Sequence, residues 1–167
     1  MDAKEVCVLM PSPTERQAQI EKVRALPTLV AQLTDSLTTT QLTTHYLPDE
    51  WTVAQNVHHL VDSHLNSYVR CKLIVTEERP TFKPYDQDRW AALPDAAQAD
   101  IADSLALLRH LHTRWVVFWE SLSEEDWGRT GFHPDSGIVT LTDQLQLYAG
   151  HGEGHLEQMA RTLAGAQ

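Results

Sequence analysis

Apolar residues recur at helical spacing along most of the chain and almost nowhere at the alternating spacing of a strand. Ser12-Pro13-Thr14-Glu15 reads as a helix start, with Ser12 as cap, Pro13 at the first helical position and Glu15 closing a capping box. Ile20, Val23 and Leu26 follow, then Pro27, which is expected to kink or end this helix before Leu29–Leu37 resumes the pattern. The threonine-rich stretch 38–44 is a poor helix interior and predicts a connection ending at Leu47-Pro48-Asp49. Thr52 and Gln55 form a second capping box, opening a helix that runs to about Glu78, before Arg79-Pro80. Residues 79–96 read as a proline-bearing loop with a short turn of helix around Trp90, long enough to cover a site. Asp95 with Gln98 predicts a third helix carrying Ile101, Leu105, Leu108, Leu111, Trp115, Phe118 and Leu122. A short helix at Ser123–Asp126 and a turn-rich connection at Gly131–Gly137 follow. Thr140 and Asp143 then start a last helix ending near Gly165. The pattern predicts an all-α chain: four main helices in a bundle with short accessory helices, residues 13–167 as one domain after an N-terminal tail, 1–12.

Two helices break their own pattern. The second has apolar residues around most of its circumference (Val53, Val57, Leu60, Val61, Leu65, Val69, Leu73, Ile74) and is expected to be central and largely buried. Yet from His59 a polar seam runs through Asp62, Ser63, Asn66 and Arg70. The last helix sets Leu141, Leu145, Leu156, Met159 and Leu163 opposite a stripe of Gln144, Tyr148, His151, His155, Gln158 and Thr162. Buried polar groups cost stability unless partnered, so each seam is either a satisfied network or a pocket wall. His151 and His155 lie four apart, on one helix face, where both imidazoles can reach one ion. Bundles build internal metal sites from such facing seams, which makes His59, rather than His58, the candidate third ligand. Three neutral imidazoles would leave a tetrahedral ion one open position, the arrangement of a catalytic site. A buried polar network without metal is the alternative. Asp62, Asn66, Arg70 and Tyr148 are the candidates for orienting ligands or gripping a substrate carboxylate. Gly150, Gly152 and Gly154, each costly inside a helix, suggest close approach of backbone or ligand, a flexible, poorly formed turn being the alternative.

The other reactive residues have structural readings. His64 and His112 are expected to pack, His110 and His45 to be solvated, and His133 to belong to a turn. Cys71 reads as a small core residue, and Trp115, Phe118 and Trp119 as core. Two cysteines suggest no disulfide framework, which favours a reducing, cytoplasmic setting; the apolar run Val6–Met10 is too short for a signal peptide. A formal charge of −10 without a basic patch argues against nucleic acid and anionic membranes as partners.

Longer motifs carry a family resemblance. Trp51-Thr-Val-Ala-Gln-Asn-Val-His-His59-Leu-Val-Asp62-Ser-His64-Leu-Asn66-Ser-Tyr68-Val-Arg70 closely resembles the signature of the YfiT-like branch of the DinB superfamily. Leu73–Glu77, Lys83-Pro84-Tyr85-Asp86, Arg89-Trp90-Ala91, Leu111–Trp115, Phe132-His133-Pro134 and Leu147–His151 match in the same order. The resemblance implies a four-helix bundle with one divalent metal ion, zinc or nickel foremost, on His59, His151 and His155. It also implies a homodimer acting on a small-molecule substrate. Members are described as metal-dependent hydrolases, and relatives in the superfamily transfer low-molecular-weight thiols such as bacillithiol, mycothiol or glutathione. The expected function is therefore a metal-dependent thiol S-transferase with the thiol as co-substrate. The alternatives are hydrolysis by a metal-bound hydroxide and a non-catalytic metal-binding module. The chain departs from the branch at Gly150 and at Gly152-Glu153-Gly154, where pocket shape is expected to differ.

Overall fold

The structure, a computed structural model, describes residues 11–166. Most of the 1–12 tail, with Cys7 and the Val6–Met10 run, lies outside the described residues. Four long helices, α1 (Pro13–Thr34), α3 (Val53–Thr76), α5 (Ala102–Glu120) and α7 (Leu141–Ala164), form the bundle. Helix α1 packs on α5 and α7, and α3 packs on the same two from the other side. The capping boxes at Ser12/Glu15, Thr52/Gln55 and Thr140/Asp143 are all formed, each satisfying otherwise orphaned backbone N–H groups.

Several expectations change. Helix α1 runs unbroken through Pro27, which is buried within it. The threonine-rich stretch is a five-residue helix, α2 (Thr39–Thr43), because Thr38 and Gln41 make a capping box of their own. Helix α5 starts at Ala102 rather than at Asp95. Residues 92–101 are turns, and the Asp100 carboxylate accepts the Ala102 N–H at 3.0 Å. The 79–96 loop carries α4 (Gln87–Ala91), and α6 (Glu124–Trp127) is the short helix expected at Ser123. The 131–137 connection is an antiparallel hairpin, β1 (Thr130–His133) with β2 (Gly137–Thr140), pairing Phe132 with Ile138. Gly137 has φ +78°, a conformation that costs glycine little, and it closes the turn. Gly131 lies under the Phe82 ring, where a Cβ would come within 2.3 Å of the ring carbon Cζ. That contact clamps the 79–96 loop to the hairpin. Phe82 N–H also donates to the Phe132 carbonyl (2.9 Å), and Phe132 N–H to that of Pro80 (2.8 Å).

The core has two apolar clusters. One gathers Ile74, Trp115, Trp119, Trp127, Leu141 and Leu145; the other gathers Leu26, Val30, Val57, Leu60, Leu108 and Met159. On α7 the histidines fall between the residues that feed these clusters. The α3 reading needs one correction: Leu65 and Val69 are exposed, so the helix buries one broad face rather than most of its circumference.

Candidate metal centre

Helix α3 enters the bundle from the Thr52 cap, so its first two turns carry Asn56 and His59 inward. Helix α7 presents His151 and His155 one turn apart on the facing side. His59, His151 and His155 come together with one ligand atom of each within 4.8 Å of the others. The Nε2 atoms face inward: His151 Nε2 is 3.3 Å from His59 Nε2 and 3.1 Å from His155 Nε2. The remaining nitrogens are held by outer partners. His155 Nδ1 lies 2.7 Å from Asn56 Oδ1, and Asn56 Nδ2 donates to the Thr52 carbonyl at 2.9 Å. Because the amide NH2 is spent on a carbonyl, the oxygen must face His155. His155 therefore donates from Nδ1, and its Nε2 turns a bare lone pair to the centre. That lone pair and the all-imidazole donor set fit a divalent transition metal, with the outer-shell bond that metal-bound histidines ordinarily make. Trp51, just before the cap, sets its indole edge-on to His59 (centroids 4.7 Å) and stacked over His155 (6.2 Å), shielding that side from water.

Burial holds these rings neutral. It lowers His59 and His155 to about 4 and His151 to about 3, with nearby histidines adding to the depression of His59 and His151. Burial also lowers His112 to about 4 and takes His64 well below the usual histidine range. In the unfolded chain each takes up a proton near 6.5, so between about 6.5 and about 4 the unfolded state binds more protons and folding weakens as pH falls. Asp62, raised by burial, acts in the opposite sense, one group against five. Urea melts of metal-free protein should therefore show full stability above pH 6.5 and a steep loss towards pH 4.5. A flat profile would mean that these histidines are not buried and neutral.

Beside His151 a cavity of about 230 Å³ is lined by Ser63, Arg70, Pro84, Tyr85, Tyr148 and His133, among others. Arg70 reaches across to the Lys83 carbonyl (3.3 Å), and Ser63 Oγ donates weakly to the Tyr148 hydroxyl (3.4 Å). Burial raises the Tyr85 phenol, so it remains a donor. Of the candidates read from sequence, Arg70 and Tyr148 reach this cavity. Asn66 does not; its amide caps the Asp62 carbonyl on its own helix at 2.8 Å. Asp62 is half-buried near Asp95 and His58 instead of lining the cavity. His133, read as a turn residue, ends strand β1 and lines the wall. His58 packs away from the centre, against Ser104 Oγ at 2.8 Å. The glycines of α7 are not pocket walls: Gly150 and Gly154 face open space, and Gly152 admits Leu26 of α1, which a Cβ would meet at 2.6 Å. Asn56 and Ser67 were missed. Stepping the His59 seam back three residues reaches Asn56, and forward eight reaches Ser67, whose hydroxyl donates to Gln144 Oε1 at 2.9 Å.

The DinB superfamily profile matches residues 19–159. The chain belongs to the DinB superfamily. Within it, the chain is 41% identical over 146 residues to the Bacillus subtilis (strain 168) protein named "Putative metal-dependent hydrolase YfiT", covering 87% of this chain and 82% of that one. A Bacillus cereus (strain AH820) protein of the same descriptive name is 45% identical over 136 residues, 81% and 78% of the two chains. The solved structure of Bacillus subtilis YfiT, described as having an unusual four-helix bundle topology, superposes with a TM-score of 0.88 at 37% identity. It covers 97% of this chain and 91% of that one. The mycothiol-dependent maleylpyruvate isomerase shares the fold of the DinB bundle, with a TM-score of 0.68 at 16% identity over 86% of this chain and 60% of that one. Among the described residues, no helix is long and apolar enough to cross a membrane.

Proposed function

We propose that the chain is a metal-dependent enzyme that transfers a low-molecular-weight thiol to a small electrophile, with His59, His151 and His155 as ligands of one divalent ion, zinc or nickel. The observation that carries this reading is the wall of the cavity beside His151. It offers a cation, Arg70, and hydroxyl donors, Ser63, Tyr85 and Tyr148, but its carboxylate, Asp135, is exposed and paired loosely with His133 at 3.9 Å. The wall therefore supplies no buried carboxylate as general base, and the Nδ1 of its one imidazole besides His151, that of His133, is taken up by the Asp135 N–H at 3.3 Å. A divalent ion held by His59, His151 and His155 would supply Lewis acidity and would favour the thiolate form of a thiol bound at the centre. Such a nucleophile needs no further base. The chain's own residues do the rest. Arg70 grips a carboxylate of the thiol, the hydroxyls orient the electrophile, and Trp51 with the 79–96 loop excludes water. The thiol sulfur forms a bond to the electrophilic carbon, and the leaving group departs with the electron pair of the bond it breaks. The fold shared with a mycothiol-dependent enzyme supports the same chemistry.

Hydrolysis is the second reading, favoured by the descriptive names of the relatives. Zinc- or nickel-loaded protein, a panel of bacillithiol, mycothiol, glutathione and cysteine, and a fluorogenic electrophile separate the two. A metal-dependent rate with at least one thiol is expected. Arg70→Met should raise KM for carboxylate-bearing thiols ~10-fold or more with little change in kcat, the scale of one lost hydrogen bond to a charged group. Turnover of esters or amides, with no thiol above background, would replace transfer by hydrolysis.

A further inference from the structure

Three hydrogen bonds run in series outward from His151. Its Nδ1 is 3.1 Å from His64 Nε2, His64 Nδ1 is 2.8 Å from His112 Nε2, and His112 Nδ1 is 2.6 Å from the Val23 carbonyl oxygen. The series leaves α7, crosses α3 and α5 and ends on α1, so it touches each helix of the bundle once. Both intermediate rings are buried, His64 fully, and they stack on one another with centroids 4.9 Å apart.

The direction of the series follows from its last atom. A carbonyl oxygen only accepts, so His112 carries its proton on Nδ1. A neutral imidazole has one N–H, which leaves His112 Nε2 an acceptor. His64 must then donate from Nδ1 and accept at Nε2, and His151 must donate from Nδ1 in turn. The proton on His151 is thereby kept off Nε2. The opposite order would set the His112 Nδ1 lone pair against the Val23 carbonyl at 2.6 Å. The carbonyl is available because residue 27 is proline: Pro27 has no N–H to return to the oxygen four residues back, which is Val23. The helix-interior proline thus leaves open the acceptor that His112 takes.

We propose that His64 and His112 are positioning residues, a relay anchored on the Val23 carbonyl that locks His151 with its proton on Nδ1 and its Nε2 lone pair facing the centre. Asn56 locks His155 the same way. Two lone pairs then face each other at 3.1 Å, an arrangement that a cation between them relieves. The centre is set for a metal ion before the ion arrives, by partners two residues deep. The purpose of the relay rests on the metal reading above; the tautomers themselves do not.

Nitrogen-15 NMR of the metal-free full chain at pH 7.5 tests the tautomers directly. His151, His64 and His112 should each show an Nδ1–H and an unprotonated Nε2, whereas an Nε2–H on His151 overturns the proposal. Zinc affinity, measured by competition with a chromophoric chelator, tests the coupling. His112→Phe removes the acceptor for His64 and should weaken zinc ~10–100-fold, the range for outer-shell partners. His112→Gln can donate its amide to Val23 and offer its oxygen to His64, so it should restore affinity to within about threefold of the parent. Equal affinity of the Phe variant and the parent, or equal loss in both variants, overturns the relay. If the Phe variant does not fold, the parent spectrum decides alone. If the parent binds no zinc while its spectrum matches, the metal reading fails and the relay stands.

Discussion

His151→Ala is expected to abolish divalent metal binding: the parent should retain one ion per chain after dialysis and the variant none. His151 is the middle ligand, within 3.3 Å of both other Nε2 atoms, which lie on different helices. Without it, His59 and His155 remain as two donors, and His64 Nε2 loses its donor as well. The loss should exceed the ~100-fold that marks the upper end for outer-shell changes. Melting reports the same event independently. A metal ion at about a thousand times its Kd stabilises the folded state by ~4 kcal/mol, or roughly 8–16 °C for a chain of this size. The parent should show that shift on loading and the variant none. Metal-free, the two should melt within a few degrees of each other, because truncation removes a desolvated imidazole along with its contacts. His110→Ala, on an exposed ring, is the control and should shift like the parent. Retention of one ion per chain by His151→Ala would remove the three-histidine site from the account.

The parts of this site that could be read from sequence are those that depend on one helix at a time. The His151/His155 spacing, the polar seams and the capping boxes at Ser12, Thr52 and Thr140 are local, and the structure keeps all of them. His59 was reachable because its seam faces that of α7. Family motifs pointed to the same bundle, which the superfamily match and the shared fold support.

Features that need two elements at once were not legible. Pro27 reads as a break because helix rules assign it only a cost. Its compensation, a histidine from α5 on the freed carbonyl, lies 89 residues away in the chain. His64 and His112 each look like ordinary packed histidines, and nothing along either helix says that they meet at 2.8 Å. The α7 glycines misled for a similar reason: only Gly152 is a close approach, and what approaches is the Leu26 side chain of α1. The hairpin at 130–140 was hidden by its length. Four residues a strand, with Gly131 under Phe82, leave too short an alternation to read as one.

Trp115→Ala should be the most destabilising of the core changes and should also disturb the histidines. Trp115 is fully buried and packs edge-on against His64 (5.6 Å), His112 (5.8 Å) and Tyr148 (5.6 Å), with Trp119 at 5.7 Å on its other side. Truncating a buried tryptophan costs ~3–5 kcal/mol, partly lost transfer energy and partly the void that neighbours fail to close. For a chain this long that is roughly 6–20 °C in melting temperature. The void would not stay dry. Its lining includes polar imidazole edges and a phenol, the partners a buried water needs. Water admitted there solvates the charged form of His112, whose depression comes first from burial, and moves its pKa from about 4 back towards 6.5. The acid limb of the stability profile should become shallower as a result. Trp115→Phe separates packing from wetting. The indole Nε1 has no oxygen or nitrogen partner, so the smaller ring forfeits volume but no hydrogen bond to either. It should cost ~1–2 kcal/mol and leave the histidine nitrogen shifts in place. Urea melts at pH 7.5 and 5.0, with nitrogen-15 spectra of both variants, measure each effect. A loss under 1 kcal/mol in the alanine variant would show that α3 and α7 close over the gap, and that the relay does not depend on Trp115 to stay dry.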